Sequence, residues 1–521
     1  MLIITALVIS LVAALLYPPN NFDSMTYHMA RVAHWEQHSS IDHYRTHILR
    51  QIEFPPLAEW VILQLQVLTG GDQFANSIQL FYLAASIIVA SLIAGQLGGN
   101  RIQQIFTAVA VCFIPMAIIQ SNTTQNDIVT SFYILCFVYM TLNLFRKFTW
   151  NGILFAGVAL GLASLTKGTA YLFTLVFCGW FVLMINKKMP LKRIIQRFAA
   201  YALIPLIAIG INAGHYQRNI FFSGKPLANS GEGTVIEGFE AKHILLITVK
   251  NLMNHLPVTS SLKSKVAAMA KRNGINPDDP KYNLIGMSSM IEGFSFHEDY
   301  AQNFLQVIFI SLFLTVYFLR REIYNRPPDL YLLFVISLLA VTCLFCALLQ
   351  WQPWSNRLQM PLFMLWSVFI GMEVGRLKKH LRLIVYLPLI AYGYTALLLS
   401  SRHPFLPLAQ SAFRLPYDRF IYPDGLSELA KYLNNKPVKS IGLYIGLDSY
   451  DYPYYKLLRG KGKNERIIKH VFVHNNSTIY VDDFAPDVII SLESRVESYS
   501  IGRKIYLRTK IFKDYVVFES P

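Results

Sequence analysis

The sequence places a carboxylate directly after its first apolar segment. Asp23 follows the apolar run 1–17, which is just long enough to cross about 30 Å of hydrocarbon. We therefore expect Asp23 to lie at a boundary between water and membrane, where a carboxylate can act as a general base toward a lipid-linked substrate. The alternative is that Asp23 caps a helix beginning at Ser24, because aspartate is a favoured N-cap residue.

Three further residues of the same loop could share a cleft with Asp23. His28 and Arg31 follow it at spacings that put all three on one side if residues 22–38 form a helix. Glu53 precedes Pro55-Pro56-Leu57, where the prolines predict a helix start that positions Glu53 or Glu59 near the cleft. A plain helix start is the alternative for that motif. We expect this group to contact the acceptor of a transfer reaction.

Asp127 and Lys167 are ionisable residues at the ends of other apolar segments. Asp127 follows Thr123-Thr124-Gln125-Asn126 and is predicted to orient an acceptor, or to join Asp23 at a divalent cation, since hard cations prefer oxygen ligands. A helix N-cap is the alternative. Lys167 is the one basic residue in the apolar stretch 152–185, and a charge at such a depth is usually functional. Phosphate binding is therefore favoured for Lys167 over snorkelling.

Two arginines and a histidine complete the candidate site. Arg218 stands three residues after His215, and Arg357 belongs to the run Asn356-Arg357-Leu358-Gln359. An arginine fork matches the geometry of a phosphate group, so these side chains are candidate ligands of a donor phosphate. Anchoring at the membrane interface is the alternative for each.

The composition identifies the chain as a polytopic membrane protein. Of its 521 residues 54% are hydrophobic and only 15% are charged, whereas charged residues make up about 25% of a soluble protein. The net charge of +16 comes from short basic runs between apolar segments, which indicates membrane topology and not nucleic-acid binding. Apolar runs predict about eleven spans. They cover residues 1–17, 74–97, 104–119, 128–145, 152–165, 169–185, 199–213, 301–319, 330–349, 358–375 and 383–400.

The basic runs also predict the orientation. With eleven spans they all fall on one side, which the positive-inside rule makes cytoplasmic, together with the N-terminus. The loops 18–56 and 214–300 and the C-terminus are then outside. Residues 1–400 form the predicted membrane domain, and residues 401–521 a small extracytoplasmic α/β domain. In that domain we expect a helix over 426–433, strands over 440–447 and 488–492, and a hairpin of 505–509 with 515–519.

Several of these runs resemble the GT-C superfamily of membrane glycosyltransferases. Asp23-Ser24-Met25-Thr26-Tyr27-His28, Gln125-Asn126-Asp127, Leu165-Thr166-Lys167-Gly168-Thr169 and Asn356-Arg357-Leu358-Gln359 are similar to a prokaryotic group in the branch that contains the protein O-mannosyltransferases and the aminoarabinose transferase of lipid A. The resemblance implies a GT-C helix bundle and a polyprenyl-phosphate-linked sugar donor. It also implies inverting transfer on the outer face of a prokaryotic plasma membrane, with Asp23 as the catalytic aspartate of the first loop.

The leading hypothesis is therefore a glycosyltransferase that moves one sugar from a polyprenyl phosphate to a lipid, glycan or protein. A ligase that moves a polysaccharide from a diphosphate carrier is the alternative enzyme. A secondary transporter or lipid flippase is a further alternative, disfavoured because the sequence has no internal repeat. The sequence predicts no definite cofactor, and a divalent metal ion is the alternative. We expect the segment 214–300 to include a loop that orders over the substrate.

Overall fold

The computed structural model describes residues 1–185, 190–227, 235–236, 238–319, 329–406, 425–460, 465–480, 483–493 and 495–521. The chain is mainly helical with one small sheet near its C-terminus, which confirms the predicted fold class. Five helices within these ranges are long and apolar enough to cross a membrane, and the chain is an integral membrane protein. They are Ala75–Gln96, Asp127–Arg146, Leu191–Ser223, Leu330–Leu348 and Lys379–Leu398. The count of about eleven spans stays a prediction.

The described helices run along the whole chain. In order they are α1 Leu2–Leu16, α2 Met29–His38, α3 Arg50–Glu53, α4 Leu57–Thr69, α5 Ile78–Gln96, α6 Arg101–Cys112, α7 Pro115–Gln120, α8 Asp127–Arg146, α9 Trp150–Thr166, α10 Ala170–Leu183, α11 Leu191–Ser223, α12 Ala241–Met253, α13 Ser260–Arg272, α14 Phe304–Leu319, α15 Asp329–Leu348, α16 Ser355–Leu358, α17 Met360–Arg376, α18 Lys379–Leu398, α19 Leu426–Asn434 and α20 Tyr452–Leu458. A π-helical turn, Ser24–His28, precedes α2.

Helices cover the predicted spans, but two of the spans differ from the prediction. The predicted segment 104–119 is two helices, α6 and α7, because Pro115 begins a new helix after the extended residue Ile114. The predicted segment 199–213 is the middle of the much longer α11. That helix continues through polar residues at both ends, which a hydropathy pattern assigns to loops.

The chain folds as two compact units. The first contains residues 1–15, 76–213 and 231–413, and the second contains residues 16–75, 214–230 and 414–521. The second unit thus joins the first loop, the end of α11 and the C-terminal sheet. The linear division at residue 400 stays a prediction about domains.

Glycines allow close helix packing in the first unit. A Cβ on Gly371 of α17 would lie 2.6 Å from the Cα of Thr107 on α6. Likewise, a Cβ on Gly161 of α9 would lie 3.1 Å from the Cα of Ala208 on α11. Small residues that let backbones approach are typical of helix contacts in membranes, where van der Waals packing stabilises the bundle.

The second unit contains a six-stranded sheet in the order β2-β1-β3-β6-β5-β4. The strands are β1 Ser440–Tyr444, β2 Ile467–His470, β3 Val488–Ser491, β4 Ser498–Ile501, β5 Lys504–Phe512 and β6 Tyr515–Glu519. Strands β2, β1 and β3 are parallel, and the other pairs are antiparallel. The predicted helix, strands and hairpin are confirmed. Strands β2 and β4 were missed because two of the four residues of each are polar, so neither forms the nearly continuous apolar run by which β3 was predicted.

Replacing Gly371 by alanine should destabilise the first unit by about 1–3 kcal/mol, because the added methyl group overlaps the Thr107 backbone. The free energy of unfolding in detergent micelles measures this effect. Gly179→Ala is the matched control, since a Cβ there meets nothing within 4 Å. Equal stability of the two variants would contradict the close contact.

Candidate active site

Asp23 does not serve as a helix cap. Its side chain makes no cap hydrogen bond to the π-helical turn that follows it. Asn21 performs that function, because its Oδ1 accepts hydrogen bonds from the backbone N–H and the hydroxyl of Ser24, both at 2.7 Å. Asp23 is nevertheless only 5% exposed. The π-helical turn, a feature frequent at functional sites, therefore follows a buried carboxylate that is not needed to start the helix.

His28 and Arg31 share one acidic partner, Glu59 of α4. His28 Nδ1 lies 2.5 Å from Glu59 Oε1, and Arg31 Nη1 lies 3.6 Å from Glu59 Oε2. All three side chains are almost completely buried. The helix predicted over 22–38 is confirmed as the π-helical turn and α2, and it places His28 and Arg31 together. The proline motif predicts Glu59 near the cleft, whereas its pairing with His28 and Arg31 depends on the contact between α4 and α2.

The Arg31 guanidinium is occupied by backbone carbonyl groups. It donates to the carbonyl oxygens of Gln51, of Arg50 at 3.0 Å and of Phe54 at 2.8 Å. Carbonyl oxygens near the end of a short helix lack intrahelical donors, and Arg31 supplies them. We infer that Arg31 fixes the shape of the first loop, whereas a direct contact with an acceptor stays a prediction.

Glu53, His215 and Arg218 lie around one residue near the end of α11. Asn219 donates to the carbonyl oxygen of Glu53 at 3.1 Å, and its amide nitrogen is 3.3 Å from His215 Nε2. One turn after His215, the buried Nε of Arg218 has no hydrogen-bond partner among the described residues. A buried guanidinium N–H without an acceptor is costly unless a ligand supplies one. This part of the second unit can therefore receive an anionic oxygen.

Asp127 and Lys167 form an ion pair in the first unit. Lys167 Nζ lies 2.7 Å from Asp127 Oδ1, and Gln120 donates to Asp127 Oδ2 at 3.3 Å. Asn126, and not Asp127, stands at the N-cap position of α8. The pair explains how a lysine is tolerated in an apolar stretch, since its charge is neutralised locally. The structure brings these two predicted residues together, and it places Asp23 in the other compact unit.

Arg357 belongs to a second ion-pair network in the first unit, together with acidic residues that the sequence analysis missed. Arg357 Nη1 lies 2.9 Å from Asp299 Oδ1, and Gln125 donates to the same oxygen at 3.1 Å. The adjacent Glu298 is fully buried, 3.0 Å from Arg402 Nε. Burial and the charge of Asp299 raise the pKa of Glu298 to about 7. A carboxyl group with such a pKa can hold or release a proton near neutral pH.

Two groups of described residues have the types and spacing of metal ligands. His297, Glu298 and Asp299 form one, and His34, Asp451 and His470 form the other. In the first group the carboxylates already contact Arg402 and Arg357. Pairing with arginine reduces the negative charge that these carboxylates offer a cation, although Glu298 Oε2 has no hydrogen-bond partner among the described residues.

In the second group, the Asp451 carboxylate is held by hydrogen bonds from its neighbours. His470 Nδ1 accepts the backbone N–H of His47 at 2.9 Å, so a neutral His470 carries its proton on Nε2. That atom lies 3.2 Å from Asp451 Oδ1, although neither atom has an aligned hydrogen-bond partner among the described residues, and a metal could bind Nε2 only after loss of its proton. Gln51 donates to Asp451 Oδ2 at 2.8 Å, and His34 Nε2 lies 3.2 Å from the same oxygen. Burial would raise the pKa of Asp451, but interactions with His470 and His34 outweigh it and lower the pKa.

His34 should make the second unit less stable in acid. Burial lowers the pKa of His34 to about 4, although Asp451 opposes the shift, whereas the unfolded residue titrates near 6.5. The unfolded chain therefore binds the proton first. Stability is complete above pH 6.5 and falls between pH 6.5 and pH 4, by up to about 3 kcal/mol from this residue.

Thermal unfolding of the wild type, His34→Gln and the exposed control His474→Gln between pH 7 and pH 4 measures the contribution of His34. The pH dependence should be shallower in His34→Gln alone. Parallel pH curves for all three proteins would contradict the prediction.

One family model matches part of the chain. Residues 74–220 match the family of dolichyl-phosphate-mannose-protein mannosyltransferases. No curated protein sequence matches the chain.

Solved structures show the same fold over nearly the whole chain. ArnT from Cupriavidus metallidurans bound to undecaprenyl phosphate is 13% identical, with a TM-score of 0.58 over 99% of this chain and 97% of ArnT. The apo form of that protein has the same identity and TM-score over 99% and 96%. An oligosaccharyltransferase of Archaeoglobus fulgidus, in complex with zinc and sulfate, is more distant, at 12% identity and a TM-score of 0.42 over 94% and 68%. The predicted resemblance to GT-C glycosyltransferases is confirmed, and the chain has the fold of ArnT.

Proposed function

We propose that this protein is an inverting glycosyltransferase that moves one sugar from a polyprenyl phosphate to a lipid, glycan or protein acceptor. The proposal rests on two buried polar groups in the second compact unit. That unit contains a buried carboxylate without a capping role, Asp23, and a buried guanidinium nitrogen without an acceptor, Arg218 Nε. The ArnT fold supports the same class of reaction, since ArnT was solved with undecaprenyl phosphate bound.

The chemistry needs one base and one stabiliser of the leaving group. Asp23 takes the proton of the acceptor nucleophile as that atom attacks the anomeric carbon of the sugar. The bond from this carbon to the phosphate oxygen breaks, and polyprenyl phosphate leaves with the electron pair. Arg218 interacts with the negative charge that develops on the phosphate. A single displacement of this kind inverts the configuration at the anomeric carbon.

Arg218 is the strongest candidate for the donor phosphate among the three predicted cations. Lys167 and Arg357 are ion-paired with Asp127 and Asp299, so each would have to exchange its carboxylate for the phosphate. His215, joined to Glu53 through Asn219, stands one turn before Arg218 and would contact the same group. We place the reaction on the outer face of a prokaryotic plasma membrane, because the basic runs predict that these loops are outside. A divalent ion held by Asp23 and Asp127 stays a prediction.

Asp23→Asn should reduce transfer by about a hundredfold to ten-thousandfold, since an amide cannot accept the proton. Mass spectrometry of polyprenyl-phosphate sugars and outer glycans measures this in cells with the wild type, with the variant and without the protein. Donor should accumulate and one sugar should be missing in both defective strains. Asp514→Asn, in an exposed turn of the sheet, is the control and should behave as wild type.

Normal glycans in the Asp23→Asn strain would exclude Asp23 as the base. Accumulation of a diphosphate-linked donor would indicate a polysaccharide ligase in place of a monosaccharide transferase. Altered lipid or solute distribution with unchanged glycans would indicate a transporter.

Arg218→Gln should weaken binding of undecaprenyl phosphate by about tenfold to a hundredfold, because it removes charge-assisted hydrogen bonds. Arg218→Lys should recover part of the affinity, as a point charge without the arginine fork. Native mass spectrometry of the purified protein with added undecaprenyl phosphate measures binding. Arg503→Gln, on the exposed surface of the sheet, is the control. Equal affinity of the wild type and Arg218→Gln would remove Arg218 from the phosphate site.

A further inference from the structure

The carboxyl ends of the parallel strands β1 and β2 are covered by the first loop, residues 18–56. In open α/β sheets this edge is where ligands usually bind. Here β1 lies between β2 and β3, and all three are parallel. Asp451 follows β1, His470 is the last residue of β2, and Val471 comes directly after it. All of these residues belong to the second compact unit, as does the first loop. The sheet therefore uses this edge to bind a part of its own chain.

Both backbone and side-chain hydrogen bonds form this contact. The backbone N–H of Asp451 donates to the carbonyl oxygen of Met25 at 2.9 Å, within the π-helical turn that follows Asp23. The remaining bonds run from residues 34–51 to the sheet. They include His34 and Gln51 to Asp451, His47 to His470 and Val471, Thr46 to Ser477, Gln37 to Ile468 and Arg45 to Val473.

Asp451 is the centre of this contact. Its side chain is 0% exposed, and its lowered pKa keeps it ionised. A buried charge needs donors around it, and two of the groups close to its carboxylate, His34 and Gln51, come from the first loop. The same Gln51 amide also donates to the carbonyl oxygen of Thr26 at 2.8 Å. Asp451 is thus connected to the turn after Asp23 through its own backbone and through Gln51.

We propose that Asp451 is a positioning residue, through which the C-terminal sheet holds the π-helical turn of the first loop and so sets the direction of the Asp23 carboxylate. Asp451 takes no part in the chemistry. Its ionised carboxylate holds Gln51 and His34, and its backbone N–H holds Met25, two residues after Asp23. The catalytic consequence rests on the proposed function, whereas the contact itself does not.

Hydrogen exchange in the full-length protein tests the contact without any substrate. Asp451→Asn keeps the shape of the side chain and removes its charge. The amides of residues 24–38 should then exchange about tenfold faster or more, while those of α8 keep the wild-type rate. Asp514→Asn, on an exposed turn of the same sheet, is the control and should leave both rates unchanged.

The exchange of β3 and β6 in the same experiment reports whether the sheet stays folded. If Asp451→Asn unfolds it, Gln51→Met replaces it as the variant, because Gln51 contacts both Asp451 and the π-helical turn. Unchanged exchange of residues 24–38 in a folded variant would overturn the proposal.

Kinetics separate positioning from a merely structural role. In Asp451→Asn the turnover number of sugar transfer should fall about tenfold or more, while binding of undecaprenyl phosphate stays within about twofold of wild type. Equal loss of turnover and of donor binding would overturn positioning. If the wild type transfers no sugar although exchange of the loop depends on Asp451, the proposed function fails and the contact stands.

Discussion

A buried ionised group has to find its partners inside the protein, and this constraint shapes both compact units. Asp451 is surrounded by His34, His470 and Gln51, and Asp127 is paired with Lys167. The desolvation cost of each charge is large, and it is offset only where donors and acceptors are placed at hydrogen-bond distance. These positions therefore determine which segments must lie together, even where the segments are hundreds of residues apart in sequence.

The same constraint separates charges that are paired within the protein from charges that are candidates for a ligand. Arg31 donates to carbonyl oxygens and contacts Glu59, so its charge is used within the first loop. Arg218 has a buried Nε without an acceptor in the part of the chain that the structure describes. A protein gains nothing in stability from such an atom, because removing an N–H from water without a new acceptor costs free energy. Its retention is understandable if an anion occupies the position during function.

The sequence predicted what depends on local pattern. The apolar runs predicted the helices, the prolines predicted the start of α4, and alternation predicted β1, β3 and the last hairpin. It did not predict the partner of His34, because Asp451 is 417 positions away and no periodicity connects them. Similarly, the choice between Asn21 and Asp23 as the cap depends on side-chain direction, which residue type alone leaves open. Local elements could be predicted from the sequence, whereas the polar contacts between them could not.

The order of the chain makes the second unit depend on its last residues. The first loop is synthesised early, but the groups that surround it, Asp451 and His470, belong to the C-terminal sheet. Contacts of such large sequence separation form late, since the intervening chain must be ordered first. Until the sheet has formed, the side chains of Gln51 and His34 lack the Asp451 carboxylate as a partner. The turn after Asp23 likewise lacks the hydrogen bond from the backbone N–H of Asp451. The first loop therefore reaches its final geometry only when the C-terminal sheet is present, which links the candidate catalytic carboxylate to folding of that sheet.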